Sequence, residues 1–289
     1  MTDPRLALVF DDGYRSDFDM LRPALAELDA PMTLAIVPGW LGGEDHITAD
    51  ELETLAEEGH EVLSHGRRHR YLGTHRVTAD ASAGDRRVTL DNHVFPDDVH
   101  GVYVGDSYEI TNGEDAEMLT LAEKLGTDDE PIMEFETAIS GDYTAGEAVV
   151  RPTMDTIEDE IVGVREEFDD LGFDPTGFVF PYDATDPRAW DVASEGYDTI
   201  ANAGVRSLPN PAGTLPTNWR RYYLQTGHQT RPELAAYLDT LAEQGGVGIL
   251  AGHSDWESVP EERVIWTVEA ARERGIEVTT LHEAADRQS

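Results

Sequence analysis

LALVFDDGYRS, residues 6–16, ends an apolar run on two adjacent aspartates. Leu6 to Val9 and then Phe10 predict a buried strand. Asp11 and Asp12 follow, and Gly13 marks the turn. Side chains alternate faces along a strand, so neighbouring carboxylates would normally point apart. At a strand's end the chain can bend enough for both to reach one pocket. The next stretches repeat the pattern. In SDFDMLRPALAEL, Phe18, Leu21, Leu25 and Leu28 share one helical face, and Pro23 marks the helix start or a kink. PMTLAIVP is the next strand. TADELETLAEEG is a helix with a capping box from Thr48 and Glu51, stopped by Gly59. HEVLSH is a third strand, ending on His65.

From about Val77 to Val150 the helical period disappears. RRVTLDN, VYVGDSYEIT, IMEFETAIS and EAVVR read as short strands separated by the turn signals AGD, NG and SGD. These predict an inserted antiparallel β unit, residues 77–150, between two pieces of one domain, residues 1–76 and 151–289. Strand and helix alternate again from Thr153. GFVFPY, YDTIANAG, VGILAGH and IEVTTL are the later strands, with helices between them. About seven βα repeats predict an α/β fold with a parallel sheet, open or closed into a barrel. No glycine-rich dinucleotide turn follows a strand, which argues against a nucleotide-binding sheet.

The chain holds 59 acidic and 21 basic residues, a formal charge of −38 over 289 residues. Lys124 is the one lysine, and arginine supplies the rest of the basic side chains. Repulsion at this level strains a fold in dilute buffer, and salt screens it over about 3 Å at 1 M. The composition points to a halophile. The acids lie on amphipathic segments and not in one block, which argues against a disordered tail. No basic stripe is available for nucleic acid. No cysteine is present, so disulfides and thiolate metal sites are excluded. The apolar runs are strand-length, so no membrane span is expected. The visible N-terminus shows no secretion leader, and a cytoplasmic setting is the expectation, with an extracellular or cell-surface one as the alternative.

Functional groups in parallel α/β folds gather where strands exit at their C-terminal ends. Those positions hold Asp11 and Asp12, then Pro38, Gly39 and Trp40, then Ser64 and His65. His69 lies four residues beyond. Pro181, Tyr182 and Asp183 end a later strand, and His253, Ser254, Asp255 and Trp256 another. Two histidines at this spacing converge on one cation if the turn between them is helical. A carboxylate from another strand makes three protein ligands and leaves a position open for water. Two imidazoles and a carboxylate suit Zn²⁺, with Co²⁺ or Ni²⁺ as alternatives. One of the paired aspartates would ligate, and the other would stay free as a base.

VFDDG, SHGRRH, FPY and ILAGH, in that order, resemble the polysaccharide deacetylase family (NodB homology, carbohydrate esterase family 4). The resemblance implies a (β/α)7 distorted TIM-like barrel over residues 1–76 and 151–289. It implies Asp12, His65 and His69 as metal ligands and Asp11 as general base. It also implies an oxyanion-hole contribution from the backbone N–H of Tyr182 and His253 as general acid. Many relatives carry an arginine just before the proline-tyrosine pair to steady the base, and here Val179 and Phe180 stand there. RSLPNPAGTLPTNWRRYYL offers Arg206 or Arg221 as partners instead. Trp40, Pro181, Trp219 and Trp256 are candidate substrate contacts. The remaining histidines, His46, His60, His75, His93, His100, His228 and His282, read as structural or solvent-facing.

The expected reaction is hydrolysis of N-acetyl groups on the amino sugars of a poly- or oligosaccharide. Metal-bound water is the nucleophile, with an aspartate base and a histidine acid. The rival expectations are a deacylase of a small amide, allantoinase-like, and a non-catalytic glycan-binding protein with a structural metal. The insert follows the second motif, so it is expected either to wall the substrate groove or to form a homo-oligomer contact.

Overall fold

The computed structural model describes residues 3–91, 94 and 100–287. His93 lies outside these residues. Fourteen strands are found among them. The first seven are β1 (Pro4–Asp11), β2 (Thr33–Ile36), β3 (Glu61–Ser64), β4 (His75–Arg76), β5 (Arg87–Thr89), β6 (Ser107–Thr111) and β7 (Ala116–Thr127). The others are β8 (Glu130–Phe135), β9 (Val149–Pro152), β10 (Gly177–Phe178), β11 (Thr199–Ile200), β12 (Tyr222–Tyr223), β13 (Gly246–Gly252) and β14 (Glu277–Val278). The chain divides into two compact units. One comprises Met1–His65, Val164–Val179 and Ala193–Ser289, and the other Gly66–Gly163 and Phe180–Val192.

The first unit carries an eight-stranded sheet in the order β11-β10-β3-β2-β1-β13-β12, with β14 also pairing with β1. Every named pairing in it is parallel. The fold is α/β, with this parallel sheet curled into a half-barrel. β1 and β13 sit at its middle and are buried almost throughout, as apolar runs without alternation predict. One face of β1 sends Leu6, Leu8 and Phe10 into a core shared with Leu25, Leu52, Leu238 and Val264 from the flanking helices. The other sends Ala7 and Val9 inward with Ala35, Leu63, Ile249 and Trp219. Each large apolar side chain so enclosed contributes about 1.5–3 kcal/mol relative to exposure.

Local signals behave as the sequence indicates. Helix Ala49–Glu57 opens with the capping box, Thr48 Oγ1 accepting from the Glu51 N–H at 3.3 Å and Glu51 accepting from the Thr48 N–H at 2.7 Å. The segment around Pro23 is a π-helical turn, Asp17–Leu21, running into an α-helix at Arg22–Glu27. Pro23 is the second residue of that α-helix, which directly follows the wide turn, with helical backbone on both sides.

The second unit carries a six-stranded sheet ordered β4-β9-β6-β7-β8-β5, antiparallel at every named pairing. Its own core gathers Val88, Ile110, Leu121, Met133, Phe135 and Val150. No helix among the described residues is long and apolar enough to cross a membrane.

Candidate metal centre and active site

Asp11 is the last residue of β1, and Asp12 the first beyond it. The Asp12 N–H still donates to the Ala35 carbonyl of β2 at 2.9 Å. Its φ is 77°, in the left-handed region. This one step re-aims its carboxylate off the alternation that a continued strand would impose. Gly13 follows at φ 71°, and an added Cβ there would come 2.8 Å from Ile36 Cδ1, so the turn needs glycine.

β3 ends at Ser64, and the His65 N–H donates to the Ile36 carbonyl at 2.9 Å. The His65 ring places Nδ1 2.8 Å from the Val179 carbonyl. A carbonyl only accepts, so Nδ1 carries the proton and Nε2 holds a lone pair. That Nε2 lies 3.5 Å from Asp12 Oδ1. His69 reaches the same group by a route that differs from the helical turn expected from its spacing. Gly66 has φ 81° and His69 φ 57°, so two left-handed residues make the bend. Among the described residues, the non-glycine positions with positive φ are Asp12, Asp29, His69, Tyr182 and Asp183. Three of the five lie in the motif segments and Asp183 directly follows one, the kind of placement in which strained backbone marks a candidate site.

One potential donor atom from each of Asp12, His65 and His69 lies within 4.8 Å of the other two, and all three residues are buried. Burial, and then the adjacent Asp11, push the Asp12 carboxyl well above its ordinary range. A divalent cation would reverse that, since it favours the carboxylate. Two imidazoles, one with its tautomer fixed, and a carboxylate therefore fit Zn²⁺, Co²⁺ or Ni²⁺.

Asp11 is held by Arg221, which stands just before β12. Nη1 donates to Oδ1 at 2.9 Å and Nη2 to Oδ2 at 2.7 Å. Both side chains are buried. Burial alone would raise the Asp11 carboxyl, but the Arg221 guanidinium, together with His65 and His253, holds the group well below the usual carboxylate range. Val179 and Phe180 are wholly buried apolar residues. Of the two arginines the sequence offered, Arg221 is the partner, and Arg206 meets it through a backbone hydrogen bond of 3.0 Å.

His253 follows β13, with Nε2 3.5 Å from Asp12 Oδ2. Trp256 stacks on its ring at 4.0 Å and 12°, and stays 44% exposed. Tyr14 meets His253 edge-on at 6.2 Å and stacks on His46 at 5.2 Å, and Trp40 leans on His46 at 5.2 Å. Trp40 and Trp256 are thus the ends of one row of rings. Tyr14 and His46 complete it, and nothing in their sequence neighbourhood distinguishes them. Trp219 corrects an expectation: it is wholly buried among the small apolar residues of β1 and β13 and presents no face to a ligand. Pro181 is buried also. Tyr182 has φ 59°, and its ring lies 4.6 Å from that of His69.

Residues 1–92 match the family model described as polysaccharide deacetylase. Similar solved structures include a family 4 acetyl xylan esterase from Clostridium thermocellum in complex with a cobalt ion. It is 15% identical with a TM-score of 0.49, over 96% of this chain and 89% of that one. A family 4 carbohydrate esterase from Streptomyces lividans in complex with acetate is 12% identical with a TM-score of 0.49, over 96% and 92%. A peptidoglycan deacetylase from Bacillus subtilis is 10% identical with a TM-score of 0.48, over 99% and 92%. No curated protein matches the sequence.

Proposed function

We propose, from a chain whose first 92 residues match the polysaccharide deacetylase family, that this protein hydrolyses N-acetyl groups on the amino sugars of a glycan. The observation that carries the proposal is the buried Asp12, His65 and His69 group with an arginine-clamped Asp11 next to it in sequence. Asp12, His65 and His69 would hold a divalent cation, zinc by preference for this donor set. When bound, such a cation acidifies water and polarises an acyl carbonyl.

The remaining chemistry belongs to the chain. Asp11 accepts the proton of the attacking water. The Arg221 guanidinium favours its ionised form, which can accept from and orient that water. Arg221 occupies one lone pair on each carboxylate oxygen and leaves the others to accept. The Tyr182 N–H donates to the oxyanion that develops on the acetyl carbon's oxygen, a contribution worth about 3 kcal/mol for one such donor. His253 gives its proton to the departing amine, which would otherwise leave as a strongly basic anion. Trp40 and Trp256 offer ring faces to the sugar. The excess of acidic side chains supports a salt-rich setting.

The test is acetate release from chitooligosaccharides. The wild type should release acetate, lose the activity on dialysis against a chelator, and regain it with Zn²⁺ or Co²⁺. Asp11→Asn should keep the metal and lose the turnover. A wild type that binds metal but turns over no acetylated sugar would overturn the proposal, and a wild type active on small amides alone would redirect it.

A further inference from the structure

The inserted sheet has no counterpart in the chemistry described so far, yet it reaches the bend that carries His69. That bend runs from Gly66 to Arg70. Side chains outside the motif support it: Glu160, Asp106 and Tyr103, and Asp159, which accepts from Arg67 Nη1. Glu160 is completely buried. Its carboxylate accepts from the Arg68 N–H at 3.1 Å and from the Arg70 N–H at 3.3 Å. The same carboxylate accepts from Arg70 Nη1 at 2.6 Å. Asp106, just before β6 of the inserted sheet, takes the rest of that guanidinium. Arg70 Nε donates to Oδ2 at 2.6 Å and Nη2 to Oδ1 at 3.1 Å. Tyr103, from the same loop, donates its hydroxyl to the Arg68 carbonyl at 2.6 Å, and its ring lies beneath the Arg68 guanidinium at 4.2 Å.

Glu160 arrives by a distinct local device. It lies in a π-helical turn, Asp159–Gly163, between the α-helical segments Met154–Glu158 and Arg165–Asp170. Such wide turns are rare and concentrate at functional sites. Gly66 is matched to it: at φ 81°, an added Cβ would stand 2.8 Å from Glu160 Oε2.

We propose that the inserted unit is a brace for metal binding. Asp106 and Tyr103, together with Glu160, lock Arg68 and Arg70 on either side of His69. They thereby hold His69 in the left-handed conformation, φ 57°, that presents its ring as a ligand. The carboxylate–guanidinium–carboxylate chain is buried at Glu160 and partly buried at Asp106, and such a chain is strong only when every member is present, so removing one member releases the bend. These are positioning residues: they act on the ion through His69. The inference rests on the metal reading above and departs from a groove wall or an oligomer contact as the insert's role.

The experiment measures Zn²⁺ and Co²⁺ affinity by chelator competition, with the Co²⁺ visible spectrum as a reporter of ligand geometry. The proteins are the wild type, Asp106→Asn and Tyr103→Phe. Phe135→Leu is the control: Phe135 is a buried core residue of the inserted sheet, and the variant weakens the sheet without touching the bend. Asp106→Asn should bind metal about 10- to 100-fold more weakly and change the Co²⁺ spectrum, as partners behind a ligand do. Tyr103→Phe should shift in the same direction by less, and serves if Asp106→Asn fails to fold. Phe135→Leu should lower the melting temperature and leave affinity and spectrum unchanged. Wild-type affinity in both Asp106→Asn and Tyr103→Phe, or equal weakening in Phe135→Leu, overturns the brace alone. A wild type that binds neither ion overturns the metal reading, and the brace with it.

Discussion

Arg221 holds both oxygens of Asp11, at 2.9 and 2.7 Å, where neither side chain reaches bulk solvent. The relation is bidentate, a geometry that the guanidinium fork forms and ammonium does not. It supplies from the approach to β12 what Val179 and Phe180 do not offer beside Pro181 and Tyr182.

Replacing the guanidinium therefore has two separable effects. Arg221→Met leaves a buried carboxylate alone and should cost about 3–5 kcal/mol of stability in denaturant unfolding. Because Arg221 leads the groups that hold Asp11 below the carboxylate range, the acid limb of kcat/KM should move to higher pH in Arg221→Lys, which retains charge but loses the fork. An Arg221→Lys profile that overlays the wild type would remove the orienting role.

His253 is expected to matter to turnover and not to metal binding. His253→Gln should lower kcat by about 10²–10⁴-fold, the range for a general acid, with metal content equal to wild type. Loss of metal in that variant would make His253 a ligand instead.

Asp17 should govern the pH dependence of stability in the metal-free protein. It is fully buried beside Ser254, and burial pushes its carboxyl from 3.8 to about 8. The folded state then keeps a proton that the unfolded chain releases. Stability is greatest below the unfolded value and declines as pH rises from about 4 toward about 8. Asp17→Asn should remove about one proton from that slope. Unfolding free energies at several pH values and constant salt measure it. An unchanged slope would place the ionised form in the fold.

The formal charge of −38 predicts a strong salt response. Raising KCl from about 0.1 M to about 1 M shortens the screening length from about 10 Å to about 3 Å, so the melting temperature should rise throughout that range. Scanning calorimetry would show it, and a flat response would detach the composition from salt adaptation.

Part of this architecture is written locally. The apolar run of β1, the capping box at Thr48 and the chain of βα units follow from neighbours a few residues apart. So do the paired aspartates and the two histidines, whose types and order carry the family resemblance. Other features depend on residues far apart in sequence. Asp11 and Arg221 are separated by 210 positions, and Arg70 and Glu160 by 90, so no local pattern joins them. Trp219 stands in an arginine- and proline-rich stretch that looks exposed, but β1 and β13 supply small residues around it and it closes the core. The bend to His69 misled for a similar reason. A spacing of four suits a helix, and only the support around Arg68 and Arg70 makes the left-handed alternative stable.

The wide turn at Asp159–Gly163 sets a phase. An α-helix advances each side chain by about 100°. Trimming a single amino acid from that turn would swing Glu160 roughly a quarter-revolution away from Gly66 while leaving the composition of the segment almost intact. Insertions and deletions there should therefore be far less forgiving than substitutions. A library of length variants across Asp159–Gly163 would find this region's tolerance governed by rotation and not by residue type.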